Sequence, residues 1–224
     1  MRYWCKLLVV ITAYLLFATG CTRAVAGVAQ PDPRKPGTEL SEDGYGIIAG
    51  FPDAPVRVDI FTEPQCNHCA DLQKDFGPDI ARYINAGRLV VTYRPMTFLD
   101  TTPGGYSARV SNALFLAAGP DTSAETFQAF VQDLYRHQDP GGKGPDDREI
   151  AEMAHDSGAP SAVVDRIAAG KSALDVAKMA DANFEYLFEA NPLDPGTPTV
   201  YNLEDDEILD IYDNDWLDKL MASA

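Results

Sequence analysis

The 224-residue sequence predicts an α/β protein in which a block of helices interrupts a β-sheet. A β-α-β unit runs from a strand at residues 56–61 to a second strand at residues 89–93. Residues 107–191 then carry helical patterns almost throughout. Strand-forming residues return only at 199–201 and 208–212. The sheet is therefore expected to contain strands from both sides of the helical block.

The β-α-β unit has the clearest periodicity in the sequence. Its first strand, VRVDIF at residues 56–61, is rich in β-branched residues. The helix after Cys66 carries an apolar stripe at a spacing of four, which consists of Leu72, Phe76, Ile80 and Ile84. Pro78 within this stripe predicts a kink, or a division of the helix after Gly77. Two strands joined in this way normally run parallel, with a right-handed crossover.

The helical block divides at joints that are rich in glycine and proline. Five helices are predicted, at residues 108–118, 124–137, 147–156, 160–169 and 172–190. We interpret the aromatic residues of the block first as core, while some of them could line a peptide groove; they include Phe127, Phe130, Tyr135, Phe184, Tyr186 and Phe188.

Two strands and a helix are predicted after this block. The acidic segment 202–207 between the strands contains an Asp pair and is expected to form the tip of a hairpin. Asp213 or Asn214 is the candidate cap of a last helix at residues 216–221.

The N-terminal residues have the pattern of an export signal. Arg2 and Lys6 flank the start of an uncharged apolar run at residues 7–18, which is too short for a spanning helix. Residues 1–20 are therefore predicted to be a signal peptide. The sequence ATGC ends at Cys21, resembles a bacterial lipobox and favours a lipid anchor on that cysteine. The alternatives are ordinary cleavage at the A-x-A motif that follows, and retention as an uncleaved anchor.

The composition bounds the domain organisation and the partners. Residues 30–43 are rich in proline and charge, so 21–44 are predicted to be a flexible tether. The folded domain is expected to span 45–224, with the helical insertion at about 104–191. A net charge of −16 without a cluster of Lys and Arg argues against nucleic-acid binding. A monomer is the default, because no heptad pattern is present.

Cysteine usage points to chemistry rather than to a structural framework. Of the four cysteines, Cys5 leaves with the signal peptide and Cys21 is lipidated or removed. Cys66 and Cys69 remain, and a bridge between them would close almost no loop. Half of a zinc site is the main alternative, but zinc prefers four N or S ligands and the mature sequence has no second cysteine pair. We therefore interpret the pair as a dithiol/disulfide redox couple.

The redox couple lies in the motif Cys66-Asn67-His68-Cys69, at a strand-to-helix junction. The first sulfur of such a motif lies beside the unpaired N–H groups of the helix start, where the positive end of the dipole favours thiolate over thiol. A thiolate of low pKa three residues from a second thiol can exchange disulfides.

A hairpin and a helix that follow a β-α-β unit are the arrangement of thioredoxin. With the export signal, the CNHC motif, the helical insertion and GTPTV at residues 196–200, the chain resembles the DsbA-like branch of the thioredoxin superfamily. The resemblance covers about residues 45–224 and implies a thioredoxin-like fold with an inserted helical domain. It also implies a thiol:disulfide oxidoreductase that acts outside the cytoplasm, at the membrane or secreted. Its partners would be cysteine-containing exported proteins and a membrane oxidase or reductase for recycling, and we expect no cofactor.

The resemblance implies roles for individual residues. Cys66 would be the nucleophile, Cys69 would resolve the mixed disulfide, and His68 would further stabilise the Cys66 thiolate. Pro198 is expected to be cis and to face the cysteine pair. Thr197 is expected to offer backbone hydrogen bonds to a bound peptide.

Two departures from the family pattern concern the direction of the reaction. Asn67 replaces the proline of the family motif, and Thr197 differs from the valine that is typical of strong oxidases. An oxidase is favoured. A reductase or isomerase with the same site, and a non-enzymatic lipoprotein that binds a partner or copper, are the alternatives.

Thioredoxin-like folds often bury an acid beneath the resolving cysteine. Asp59 is the candidate, because it interrupts the apolar strand shortly before Cys66. It could equally pair with Arg57 or lie on an exposed edge. Glu63 is the competing candidate, and we interpret it as a loop carboxylate.

Overall fold

Residues 35–223 are described by the computed structural model and contain six strands and seven helices. The predicted signal peptide at residues 1–20, the lipidation site Cys21 and the first part of the tether lie outside the described residues. The strands are β1 (Gly37–Leu40), β2 (Ile47–Gly50), β3 (Val56–Thr62), β4 (Leu89–Pro95), β5 (Thr199–Asn202) and β6 (Glu207–Ile208). They form one mixed sheet in the order β1-β2-β4-β3-β5-β6.

Strand β3 lies inside this sheet, and six of its seven residues are buried. It pairs parallel with β4, with Val58 opposite Val91, and antiparallel with β5, with Ile60 opposite Val200. Burial on both faces explains why this strand is almost continuously apolar. The same register brings the end of β3 to the edge at which the chain enters β5.

The helices comprise a crossover, an insertion and a C-terminal helix. Helix α1 (Asn67–Asn85) connects β3 to the parallel strand β4. The insertion between β4 and β5 consists of α2 (Tyr106–Ala117), α3 (Ala124–Arg136), α4 (Asp147–Asp156), α5 (Ser161–Ala168) and α6 (Val176–Ala190). The last helix is α7 (Trp216–Ala222). The predicted α/β fold with a helical insertion is confirmed.

Helix α1 continues through Pro78 as one helix, so the predicted division after Gly77 does not occur. The buried face of α1 packs on α3, where the side-chain amides of Gln128 and Gln132 each donate to the Gly77 carbonyl at 3.4 Å. A Cβ atom at position 77 would lie 2.9 Å from Cγ of Gln132, so glycine permits this close approach. Contact with α3 therefore holds the segment around the proline helical.

The start of α6 differs from the sequence prediction. The helix begins at Val176 rather than at residue 172, because the Asp175 side chain accepts a hydrogen bond from the backbone N–H of Lys178. This is the usual geometry of an N-cap.

The ordered domain begins earlier than predicted, which corrects the C-terminal end of the proposed tether. Residues 37–40 form β1, which pairs antiparallel with β2 so that Glu39 lies opposite Ile48. The Thr38 hydroxyl lies 3.0 Å from the carbonyl oxygen of Gly119 and 3.2 Å from that of Thr122. The sequence GTEL has little strand propensity, and its conformation comes from these long-range partners.

The second strand of the late hairpin is shorter than predicted. Strand β6 contains only Glu207 and Ile208, whereas the sequence predicted a strand at residues 208–212. The N–H of Leu209 still bonds to the Val200 carbonyl of β5, but the next ones bond locally, that of Ile211 to the carbonyl of Leu209 and that of Tyr212 to the Asp210 side chain. These turns remove the donors that a strand would need. The N-cap of α7 is Asp215 rather than Asp213 or Asn214.

The aromatic residues of the insertion divide between core and surface. Phe127, Phe130 and Tyr135 are buried, as interpreted from the sequence. Phe184 and Phe188 are exposed, which corrects their assignment to the core. Within residues 35–223, no helix combines the length and the apolar character needed to span a bilayer.

Candidate active site

The CNHC motif lies where β3 ends and α1 begins. Cys66 is the N-cap residue of α1, with an extended backbone, and its N–H donates to the carbonyl of Glu63 at 3.0 Å. Cys66 is half-buried, whereas Cys69, one turn into the helix, is fully buried. Both cysteines are free thiols. One sulfur is thus accessible and the other is enclosed.

The chain returns to this position just before β5. The peptide bond between Thr197 and Pro198 is cis, and the Cys66 thiol donates to the Thr197 carbonyl oxygen at 3.2 Å. The contact depends on the β3–β5 pairing, in which Phe61 lies opposite Thr199. The structure therefore brings together Cys66, Thr197 and Pro198, which are widely separated in the sequence.

Hydrogen bonding makes Cys66 an unusually acidic thiol. A hydrogen bond from the Cys69 thiol is the largest favourable contribution and, against the opposing effect of burial, the pKa of Cys66 falls from 9.0 to about 6. The Thr197 side chain and the backbone N–H groups of Cys69 and His68 also favour the thiolate. The Thr197 carbonyl, in contrast, accepts only from the protonated thiol. Cys66 is thus largely ionised at neutral pH.

The pKa of Cys69 is shifted in the direction opposite to that of Cys66. Burial raises the pKa of the Cys69 thiol well above 9.0, and the neighbouring Cys66 sulfur raises it further. The backbone N–H of Glu63 and the hydroxyl of Thr62 act in the opposite direction. The two thiols therefore differ in protonation, with the charge on the accessible sulfur and the proton on the enclosed one.

His68 differs from its expected role. Its side chain is two-thirds exposed, with Nδ1 at 3.7 Å from an Asp71 carboxylate oxygen and the ring edge-on to Tyr212 at 6.3 Å. The His68 group that lowers the Cys66 pKa is its backbone N–H. The stabilisation predicted for the imidazole is therefore supplied by the start of the helix.

The buried acid beside the cysteine pair is Glu63, which the sequence analysis interpreted as a loop carboxylate. Its side chain is fully buried, and this burial raises its pKa from 4.5 to about 7. Oε2 accepts from the backbone N–H of Gln65 at 2.6 Å, and Oε1 hydrogen-bonds to the hydroxyl of Ser107. The negative charge of the Cys66 thiolate repels the Glu63 carboxylate and contributes to the raised pKa of Glu63.

Asp59, the acid proposed from the sequence, belongs to an ion-pair network with Arg94 and Asp43. It is buried and pairs with Arg94 at 2.8 Å, and Arg94 also contacts Asp43 at 2.7 Å. Arg57, the partner considered from the sequence, pairs instead with Glu204 at 2.6 Å. Asp59 therefore joins β3, β4 and the turn before β2.

Three side chains of the insertion hydrogen-bond to residues 62–66, and of these only Tyr135 was named from the sequence, as a core or groove-lining residue. The Tyr135 hydroxyl of α3 hydrogen-bonds to the Thr62 hydroxyl at the end of β3. The Gln138 amide donates to the carbonyls of Pro64 at 2.9 Å and Cys66 at 3.2 Å. Ser107 of α2 contacts Glu63. These contacts are far apart in sequence and follow no local pattern, although the position of Glu63 three residues before Cys66 was a possible signal.

The described part of the chain contains no group of three or more His, Cys, Asp or Glu side chains placed to hold a metal ion. The dithiol pair and its neighbouring carboxyl are the groups from which the chemistry of this site can be built. They can hold two electrons as a disulfide or a dithiol, and they can move a proton.

Comparison with known proteins places this geometry in context. A family model described as Thioredoxin (Thioredoxin_4) matches residues 42–213. The serine/threonine-protein kinase PknE of Mycobacterium tuberculosis is 27% identical over 189 residues, which are 82% of this chain and 33% of the kinase. The chain therefore spans a third of the length of that relative.

Two solved structures show a similar fold. The MdbA protein of Corynebacterium matruchotii, described as a thiol-disulfide oxidoreductase, superposes with a TM-score of 0.71 at 24% identity, over 84% of this chain and 93% of its own. The MdbA protein of Corynebacterium diphtheriae superposes with a TM-score of 0.67 at 22% identity, over 85% and 96%.

Proposed function

The chain belongs to the Thioredoxin_4 family of thioredoxin proteins, and on this premise we propose that it is a thiol:disulfide oxidoreductase for cysteine-containing proteins outside the cytoplasm. One observation carries the proposal. A half-buried Cys66 with a pKa of about 6 lies beside a buried Cys69 whose pKa is raised, and it faces the cis Thr197–Pro198 bond. The MdbA proteins, described as thiol-disulfide oxidoreductases, support the same assignment through their fold.

The proposed reaction begins with the Cys66–Cys69 disulfide. A client thiolate attacks Sγ of Cys66, the bond between the two protein sulfurs breaks, and Cys69 leaves with the electron pair. The buried Cys69 thiolate takes a proton from the carboxylic acid of Glu63, whose pKa of about 7 leaves it partly protonated at neutral pH. The product is a mixed disulfide between the client and Cys66.

A second thiolate of the client completes the exchange. It attacks the client sulfur of the mixed disulfide, and Cys66 leaves as a thiolate. The low pKa of Cys66 makes it a good leaving group. Two electrons have then passed from the client to the protein, which is left as the dithiol. A membrane oxidase would accept these electrons and restore the disulfide.

The oxidase direction is favoured by the same electrostatics. A thiolate exists only in the reduced form, so every interaction that stabilises it also stabilises the reduced protein and makes the disulfide more oxidising. The signal-like residues 1–20 and the candidate lipid anchor Cys21 support a location at the outer side of the membrane.

The test is oxidation of a reduced, unfolded client with two cysteines by the disulfide form of the protein. Wild-type protein should form the client disulfide stoichiometrically, and Cys66→Ser should abolish this at unchanged circular dichroism. Reduced Cys69→Ser, given a client that already carries a disulfide, should accumulate the mixed disulfide on a non-reducing gel, because Cys66 attacks the client disulfide and no second protein thiol can resolve the product. Full client oxidation by Cys66→Ser would refute the proposal.

Equilibration with glutathione buffers decides the direction. A potential toward about −120 mV, as in DsbA, indicates an oxidase, whereas one near about −270 mV, as in thioredoxin, indicates a reductase.

A further inference from the structure

The buried carboxyl of Glu63 is contacted by a side chain of the helical insertion. Ser107, the second residue of α2, is fully buried, and its hydroxyl hydrogen-bonds to Oε1 of Glu63 across 44 positions of sequence. The other carboxyl oxygen is bound by a backbone N–H of the motif loop. One half of the Glu63 hydrogen bonding is therefore local, and the other half comes from the insertion.

The direction of the Ser107 hydroxyl hydrogen follows from its other partner. Nε2 of Gln65 donates to Oγ of Ser107 at 3.0 Å and to Oδ1 of Asp100 at 3.0 Å. The same Asp100 oxygen accepts from the backbone N–H of Ser107 at 2.8 Å. Because the serine oxygen already accepts from Gln65, its single hydrogen is available for Glu63. Gln65 and Asp100 thus hold Ser107 as a donor to the carboxylate.

We propose that Ser107 is a positioning residue of the exchange reaction: it holds the Glu63 carboxylate in the orientation and charge state from which it accepts the proton of Cys69. This inference rests on the proposed function. It assigns to the helical insertion a part in the chemistry, because the donor lies on α2 and not on the thioredoxin-like sheet or its crossover helix.

The sign of the effect follows from the charge. Burial raises the pKa of Glu63 to about 7, and the Ser107 hydrogen bond opposes this rise because it favours the anion. Loss of the hydroxyl should make Glu63 a weaker acid. The other titratable groups that act electrostatically with the Glu63 carboxyl come from the N-cap of α1, the loop before α2, α2 and α3, and they are Cys66, Asp100, Tyr106 and Tyr135. The Cys69 thiol meets Glu63 through the backbone N–H of Glu63.

Proton transfer from Cys69 to Glu63 can be followed while the reduced protein is oxidised to its disulfide form. The oxidant is an aromatic disulfide, 5,5′-dithiobis(2-nitrobenzoate). The Cys66 thiolate attacks this probe, one thionitrobenzoate leaves, and a mixed disulfide forms. Cys69 then gives its proton to Glu63 and attacks Sγ of Cys66. The protein disulfide forms, and the second thionitrobenzoate leaves with the electron pair. Ser107 should act on this second, unimolecular phase.

The experiment is a stopped-flow measurement of thionitrobenzoate release by the reduced protein between about pH 5 and pH 9. In wild-type protein the second phase should rise with an apparent midpoint near the Glu63 pKa of about 7. In Ser107→Ala the midpoint should move upward by about one pH unit, the size expected for a hydrogen bond to a charged group. The first phase, which reports the Cys66 thiolate, should show no upward shift.

Ser111→Ala is the matched control. Ser111 lies one turn further along α2 and is also fully buried, but among the described residues its hydroxyl has no hydrogen-bond partner. Its removal should leave the midpoint unchanged. Ser107→Thr retains a hydroxyl and should restore the wild-type midpoint. Ser107→Ala should add no shift in a Glu63→Gln background, because the titrating group is then absent.

The outcomes separate this inference from the proposed function. A midpoint for folded Ser107→Ala within about 0.3 units of wild type, or an equal shift in Ser111→Ala, would overturn the role of Ser107. If Ser107→Ala does not fold, Gln65→Met removes the group that directs the serine hydrogen, and an unshifted midpoint there overturns it. Absence of a second phase in wild-type protein would instead count against the proposed function.

Discussion

The Cys66 sulfur and the carbonyl oxygen of Thr197 lie 3.2 Å apart although 131 positions separate the two residues in sequence. Pairing of β3 with β5 creates this contact, because it brings the loop that follows β3 beside the bend that precedes β5. An extended client segment that paired with the Thr197 backbone would therefore pass directly over the reactive sulfur. The same bend contributes a side chain that favours the Cys66 thiolate.

Thr197→Val tests this side-chain contribution. The substitution keeps the shape of the side chain and removes its hydroxyl, so the pKa of Cys66 should rise above its value of about 6. We expect a rise of about 0.5–1 unit, since a hydrogen bond to a charged group is lost and partly replaced by water. The pH dependence of alkylation by iodoacetamide measures it. Thr92→Val on β4 is the control, and an equal shift in both variants would contradict the assignment.

Substitution of Cys69 should reveal the largest interaction of the thiolate. The Cys69 thiol is the principal donor that lowers the pKa of Cys66, so Cys69→Ala should raise that pKa. Cys69→Ser retains a donor and should raise it less. Thiolate absorbance as a function of pH distinguishes the two variants. Identical titrations for Ala and Ser would show that the helix start, rather than the second thiol, dominates.

The stability of the reduced protein should depend on pH in a defined window. The pKa of Cys66 is 9.0 in the unfolded chain and about 6 in the folded protein. Ionisation of Cys66 therefore stabilises the folded protein; this contribution is fully present above pH 9 and is lost as the pH falls through 6. The disulfide form lacks this group. The free energy of unfolding of the reduced form should therefore rise, relative to the oxidised form, as the pH increases from 6 to 9.

Urea unfolding of both forms at several pH values measures this difference. Glu63 has the opposite effect on stability at nearby pH values. Because its pKa is raised, its contribution to the free energy of unfolding falls as the pH rises from 4.5 to 7. It is present in both forms, so the comparison largely removes its effect. A Cys66→Ser protein should show no such rise, and a pH-independent difference between the two wild-type forms would contradict the prediction.

The Asp59–Arg94 pair should contribute to stability and not to the reactivity of the cysteines. Arg94→Met leaves the buried Asp59 carboxylate without its partner and should cost about 3–5 kcal/mol in the free energy of unfolding. Arg57→Met removes a pair with Glu204 that is half exposed and should cost less than about 1 kcal/mol. Chemical denaturation gives both values. A changed alkylation midpoint of Cys66 in folded Arg94→Met would contradict the separation of the two networks.

Most elements of the fold followed from local patterns. Helix α4 was predicted at residues 147–156, where the structure has it, and Asp146 and Glu149 form a capping box at its start. Strand β1 escaped detection, since GTEL gains its conformation from pairing with β2 and from partners near Thr122. Strand β6 was predicted too long, because the N–H groups of Ile211 and Tyr212 bond to the neighbouring residues Leu209 and Asp210. Local propensity cannot anticipate such long-range or competing partners.

The sequence by itself determined the order of the elements from β3 onward and identified the cysteine pair at the strand-to-helix junction, because periodicity, turns and motif spacing are properties of neighbouring residues. Only the tertiary structure decided which acid serves the pair. Asp59 and Glu63 are four residues apart and both buried, but Asp59 meets Arg94 of β4 while Glu63 meets Ser107 of the insertion. The partner that folding brings to each carboxyl decides which network it joins, and no local pattern encodes that partner.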